Sequence, residues 1–341
     1  MGRAVKHLNL HRIGATELRV ISDVDAGVLP IIQEEEQVIR GYMRAGRWSQ
    51  RQVSLFILKD LRPLASQVRA GARLPAGDLA ALDGRTVVNV YDLADPAVCH
   101  VFVNQAAMMK EGYWSDLPAI RGLLAHEHAH PLAENATTRA SRLLQLIPAA
   151  GPDLVPGLPE RVAPILAELA DQLCLSAPRE IYTNQLAIAS GFDAAMLHLN
   201  ERNVANAVRS LEGREVLRQR LEQEAAQGQR SPEEIALLLL VGDLKSYLNL
   251  AIEVAPFYRA GRAGDARVLE QALERDLFPR LAAEVGRGYV AIRDLYVGLS
   301  DDLSPEALRA WAAAVLDILS RALGQPALLG YRLSVAAGDA P

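Results

Sequence analysis

The spacing of apolar positions changes part-way along the chain. Up to about residue 115 they gather in short, partly β-branched runs, and beyond it they recur at helical intervals. Glu17–Ser22 (ELRVIS), Val53–Leu58 (VSLFIL), Thr86–Tyr91 (TVVNVY) and Val98–Val103 (VCHVFV) therefore predict strands. The last two are joined through Asp92, Asp95 and Pro96, a turn-forming link that predicts a hairpin. Between the first two, Ile31, Ile32, Val38, Ile39 and Tyr42 fall on one side of a helix over Val28–Arg44. The acidic run Glu34–Gln37 in that helix is expected to form its solvated face.

Beyond residue 116 the pattern predicts helices over Pro118–His130, Glu160–Leu175, Glu180–Ser190, Ala194–Leu211, Glu212–Ala226, Pro232–Val254, Ala266–Tyr296 with a break at Pro279, and Pro305–Leu323. Ser231-Pro232 and Ser304-Pro305 each place a capping hydroxyl before a proline in the first turn. The stretch Ile147–Pro159, rich in proline and glycine, is expected to be an irregular linker. An α+β fold follows: a small mixed sheet with its helices over residues 1–190, then a mostly α-helical region over 191–341.

Composition narrows the classes. With 341 residues, two domains are expected. Hydrophobic residues make up 50% and aromatic residues only 5%, which suits an Ala- and Leu-rich helical protein rather than a disordered chain. A net charge of −5 argues against general nucleic-acid binding. Two cysteines cannot build a disulfide framework. The first twenty residues lack the apolar core of a signal peptide, and Lys6 breaks the myristoylation pattern. The longest apolar run, near Ile235–Val241, is short for a membrane span. A cytoplasmic, reduced protein without a membrane span is expected; its oligomeric state is not legible.

One stretch carries chemistry. Residues 121–135 read RGLLAHEHAHPLAEN, and His126, Glu127 and His130 satisfy H-E-x-x-H. On a helix, positions i and i+4 share a face, so two imidazoles can meet one zinc ion (Zn2+). Glu127, one step round from His126, is placed to touch a water at the metal and act as general base. His128 points away from that face and is expected to have a structural or supporting role. The preceding strand is expected to end close to this helix, where a sheet edge can hold an extended peptide by its main chain. The third ligand has several candidates. Ala133 and Ala136 occupy the positions where a metzincin would need Gly and His. Glu134 continues the i+4 series, although Pro131 should end the helix before it. Glu160 and Glu168 have no distinguishing context. Glu180 opens an E-x-x-x-N pattern with Asn184 at the start of an apolar helix and is the preferred ligand, with Asn184 supporting a ligating histidine.

His126-Glu127-His128-Ala129-His130 followed by Glu180…Asn184 on a later helix resembles the gluzincin metallopeptidases, over about residues 17–190. The resemblance implies that residues 1–190 form a zincin-like catalytic domain and that the helical region 191–341 serves as lid, substrate selector or oligomerisation surface. It implies a zinc-dependent peptidase acting on a peptide or protein, with a water activated at zinc and Glu127 shuttling its proton. It also implies a donor that stabilises the oxyanion. Tyr182 is the catalytic choice, with Arg179, Tyr113 and His198 as alternatives. Two other functions fit the same residues: a non-catalytic binding or regulatory protein that keeps the zincin fold, and a metal hydrolase of a non-peptide amide.

Overall fold

The computed structural model describes residues 6–61, 84–148, 162–324 and 331–336. The chain is α+β, with a small mixed sheet near its start and a mostly helical C-terminal part. It forms two compact units, each assembled from two chain segments: Met1–Ala133 with Leu186–Leu199, and Glu134–Gln185 with Asn200–Pro341. A single division after residue 190 would cut through the Leu186–Leu199 segment, which packs with the first unit.

In the first unit five strands pair in the order β1-β2-β3-β5-β4. They are β1 (Lys6–Ile13), β2 (Thr16–Ser22), β3 (Gln52–Leu58), β4 (Val87–Asp92) and β5 (Asp95–Asn104). The first strand was not anticipated from the sequence. It forms a hairpin with β2 around Gly14, whose φ of 61° suits glycine. The β2–β3 and β3–β5 pairs are parallel, and β4–β5 is the expected antiparallel hairpin. That pairing puts β5 inside the sheet, so the edge belongs to its hairpin partner β4.

Alternation along the strands buries Leu18, Val20, Val53, Leu55, Ile57, Val101 and Val103. Helix α1 (Val28–Arg44) makes the crossover that the parallel β2–β3 pair requires. It buries the expected Ile31, Ile32, Val38, Ile39 and Tyr42, but it also buries Glu34 and Glu35. The first half of the acidic run is thus not a solvated face, while Glu36 is half-buried and Gln37 exposed. Glu34 is held by Arg121 and Glu35 by His128, both on the helix packed alongside. That helix is α3 (Leu117–Ala129), reached through the short α2 (Gln105–Glu111).

The second unit contains a two-stranded antiparallel pair, β6 (Leu144–Pro148) with β7 (Tyr331–Val335). Ile147 and Pro148 are therefore strand residues rather than linker, since Pro148 closes the strand where no further donor is needed. The rest of the expected linker lies outside the described residues. The described helices beyond residue 133 are α4 (Ala136–Ser141), α5 (Val162–Asp171), α6 (Ala177–Ala187), α7 (Asp193–Ala226), α8 (Pro232–Tyr247), α9 (Leu250–Arg259), α10 (Ala263–Ala272), α11 (Ala283–Val297) and α12 (Pro305–Ala322), with the end of α6 and the start of α7 belonging to the first unit.

Ser231 and Ser304 cap α8 and α12 as expected, accepting from the N–H groups of Glu234 and Ala307. Two expected helices are a single one, α7, because Gly213 is exposed and helical while Arg218 bridges Glu215 and Glu222 along the same surface. Conversely, Pro232–Val254 is interrupted at Leu248–Asn249. There the bonds tighten to Ala251 N–H→Leu248 and Ile252 N–H→Asn249, and the Asn249 amide turns to Gln172.

The stretch Pro232–Arg259 taken together is long and apolar enough to cross a bilayer by length and composition alone. Of its apolar window, 44% is buried in the protein, and core helices meet the same criterion.

Candidate metal centre

Local sequence starts and stops α3 at the right places. The Asp116 carboxylate accepts from the Ala119 N–H, Pro118 fits the first turn, and the helix ends at Ala129 ahead of Pro131. His130 keeps helical angles (φ −51°, ψ −55°), so the i, i+4 relation with His126 is intact. The two imidazole rings lie 4.7 Å apart, centroid to centroid, at 82° to each other. One donor atom each from His126, Glu127 and His130 lie within 4.8 Å of one another. Glu127 and His130 are buried, while His126 is half-buried. Two imidazole nitrogens and a carboxylate gathered on a largely desolvated face form a donor set suited to a metal ion.

The flank of α3 is fixed by the sheet edge. On β4, the Asn89 main-chain N–H donates to Glu127 Oε2 at 2.9 Å, and the Asn89 amide donates to the Glu127 carbonyl at 3.0 Å. An edge strand has main-chain donors facing away from its neighbour, and here one of them orients the candidate base. Glu127 Oε2 stands 4.0 Å from His130 Nε2. Sequence reasoning missed Asn89, although a lone amide within the apolar run Val87–Tyr91 was the available signal. On another side Gly122 permits close approach: a Cβ there would lie 2.9 Å from the Ala195 carbonyl oxygen.

His128 points away from the metal face, as expected. It is fully buried, with Nδ1 2.9 Å from Gln50 Oε1 and Nε2 2.7 Å from Glu35 Oε1. Burial disfavours its charged form, but the Glu35 carboxylate and Cys99 outweigh that effect and lift its pKa to about 10.

The other sequence candidates are placed as follows. Glu180 lies on α6 in the second unit, its carboxylate 3.5 Å from the Arg179 guanidinium. Asn184, on the same helix, gives its amide to the Ile252 carbonyl at 3.3 Å. Tyr182 donates its hydroxyl to the carbonyls of Leu299 and Ser300, and burial pushes its pKa up to about 12. Glu134 is engaged by Arg142 and Thr138, and Glu168 by Lys245. His198 pairs with Asp116, the cap of α3, at 2.8 Å. Tyr113 is buried in the first unit. Glu160 lies outside the described residues. Among the described residues, those that form a cluster able to hold a metal ion are His126, Glu127 and His130. Compared with models of known protein families, with curated proteins and with solved structures, the chain matches none.

Proposed function

We propose that the protein is a zinc-dependent peptidase of the zincin type. The observation that carries this reading is the convergence of His126, Glu127 and His130 on one buried face of α3, with Glu127 oriented by an edge-strand N–H. His126 and His130 hold the metal, and Glu180 enters from its sequence motif as the third ligand. Zinc, when bound, supplies Lewis acidity and lowers the pKa of a bound water towards about 7.

The chain's own groups do the rest. The N–H of Asn89 orients the Glu127 carboxylate through Oε2, and Glu127 takes a proton from the attacking water. Glu127 then returns that proton to the departing amine. The main chain of β4, at the edge of the sheet beside Glu127, supports an extended peptide as a substrate class. The sequence nominates Tyr182 as oxyanion donor.

The test is Glu127→Gln, assayed on a broad peptide and protein panel beside the wild type. The variant should keep zinc and its melting temperature while hydrolysis falls by about 10²–10⁴-fold. A wild type that binds zinc yet cleaves nothing in the panel would favour the binding-protein reading.

A further inference from the structure

Behind its metal face, α3 is tied to α1 by three polar contacts. Arg121 reaches Glu34 through Nε–Oε2 at 2.6 Å and Nη2–Oε1 at 3.1 Å. Tyr42 donates its hydroxyl to the Ala125 carbonyl at 2.7 Å. His128 meets Glu35 at 2.7 Å. At about 100° per residue, positions 121, 125 and 128 fall within about 60° of one another, and positions 126 and 130 face roughly the opposite way. One stripe of the helix is anchored, and the stripe behind it carries the metal histidines.

The His128 contact differs from the Arg121–Glu34 pair. Both partners have side chains with no exposed surface, whereas the Arg121 side chain is 38% exposed. Both imidazole nitrogens of His128 are engaged, yet Glu35 Oε2 and Gln50 Nε2 are buried without a hydrogen-bond partner. A buried ion pair with unsatisfied atoms is a poor source of stability, because desolvation offsets the attraction and apolar side chains of similar size pack as well. The α1–α3 contact already has Tyr42 and the Arg121–Glu34 pair. What this third contact adds is direction. His128 sits between His126 and His130 in the chain, and bonds at both ring nitrogens fix the rotation of that turn about the helix axis. A helix rotation of about 10° would move an imidazole nitrogen by about 1 Å, beyond the roughly 0.5 Å that a metal site tolerates.

We infer that Glu35, His128 and Gln50 form a positioning device that sets the rotation of α3, and with it the convergence of His126 and His130 on a metal ion. The inference rests on the metal-binding reading of His126 and His130, and it concerns metal affinity rather than turnover.

The experiment separates positioning from packing. The double variant Glu35→Leu/His128→Phe replaces the pair by apolar groups of similar volume in the full chain. Zinc affinity is measured by competition with a chromophoric chelator, the cobalt(II) form is examined by visible absorption, and melting is followed by circular dichroism. The expected result is a melting temperature within a few degrees of wild type, a zinc affinity lower by about 10–100-fold, and a changed cobalt ligand-field spectrum. Glu34→Gln and Tyr42→Phe cut the neighbouring ties. Both should lower the melting temperature and leave zinc affinity within about threefold. Wild-type affinity and cobalt spectrum in the double variant would overturn the inference. If that variant does not fold, Glu35→Gln is measured instead: a several-fold affinity loss is expected, and none overturns it. Failure of the metal reading itself looks different, because His126→Ala would then bind zinc as well as the wild type does.

Discussion

The two units handle charge in different ways. In the first, Glu34, Glu35, Glu127 and His128 are all buried, and each engages or belongs to one helix, α3. Exposed pairs occur in both units, Arg51 with Asp95 in the first, and in the second several run along helix surfaces: Arg218 with Glu215 and Glu222, Arg287 with Glu284, and Arg262 with Asp265. Its buried carboxylate, Asp243, is covered by Arg214. Surface pairs of this kind stabilise little and specify no precise geometry. Buried polar contacts are costly unless satisfied, and their concentration on the back and flank of α3 marks the element whose orientation matters most. Two helical glycines give a packing contrast: Gly41 in the first unit has no room for a methyl group, whereas Gly213 in the second meets open space.

The strongest way to break the comparison is to remove a metal-face histidine. His126→Ala or His130→Ala takes away one of two imidazoles on a helical face and should reduce zinc content, read by atomic emission on the purified chain, to below about a tenth of wild type. Neither residue makes the contacts with Glu35 and Gln50 that hold the back of the helix, so folding should survive. Full zinc in both variants would remove the reason for regarding the first unit as the functional one.

Packing offers the next contrast. A Cβ at Gly41 would stand 2.4 Å from the Phe192 ring, which itself lies 4.8 Å from the Tyr42 ring. Gly41→Ala should therefore destabilise the protein by about 1–3 kcal/mol, because the aromatic group must shift within a filled core. Gly213 is exposed in mid-helix with nothing within 4 Å, so Gly213→Ala should stabilise it by about 0.5–1 kcal/mol. Denaturant unfolding of the two variants should give shifts of opposite sign. Equal signs would mean that the tight packing around α1 is not a property of the first unit.

These contrasts also explain what the sequence disclosed. The H-E-x-x-H spacing, the four strands, the hairpin and the caps at Ser231 and Ser304 were legible because each depends on residues close together in the chain. The fate of the acidic run was not. Glu34 and Glu35 look solvated by local pattern, and their partners Arg121 and His128 lie 87 and 93 positions away. Asn89 was passed over for the same reason, being 38 positions from Glu127. The β6–β7 pair joins segments from the middle and the end of the chain, too short and too far apart for periodicity to reveal. Gly213 misled in the other direction, because a single glycine lowers helix propensity without ending a helix that surface ion pairs continue across.

The smallest expected effect lies on that helix. Arg218 hydrogen-bonds Glu215 and holds its carboxyl far below the usual range, at about 2. Because the folded pKa is depressed below the ordinary value of 4.5, the pair's contribution is complete above about pH 4.5 and disappears as the pH falls through about 2. Both side chains are well exposed, so solvent and salt screen the interaction. Arg218→Ala should then lower the melting temperature by about 1 °C or less at pH 7 and low ionic strength. The difference from wild type should shrink in about 1 M salt and again as the pH is taken from 4.5 towards 2. A loss of several degrees that persists in high salt would show that the surface pairs of the second unit carry structural weight comparable to the buried contacts on α3, and the distinction between the units would no longer hold.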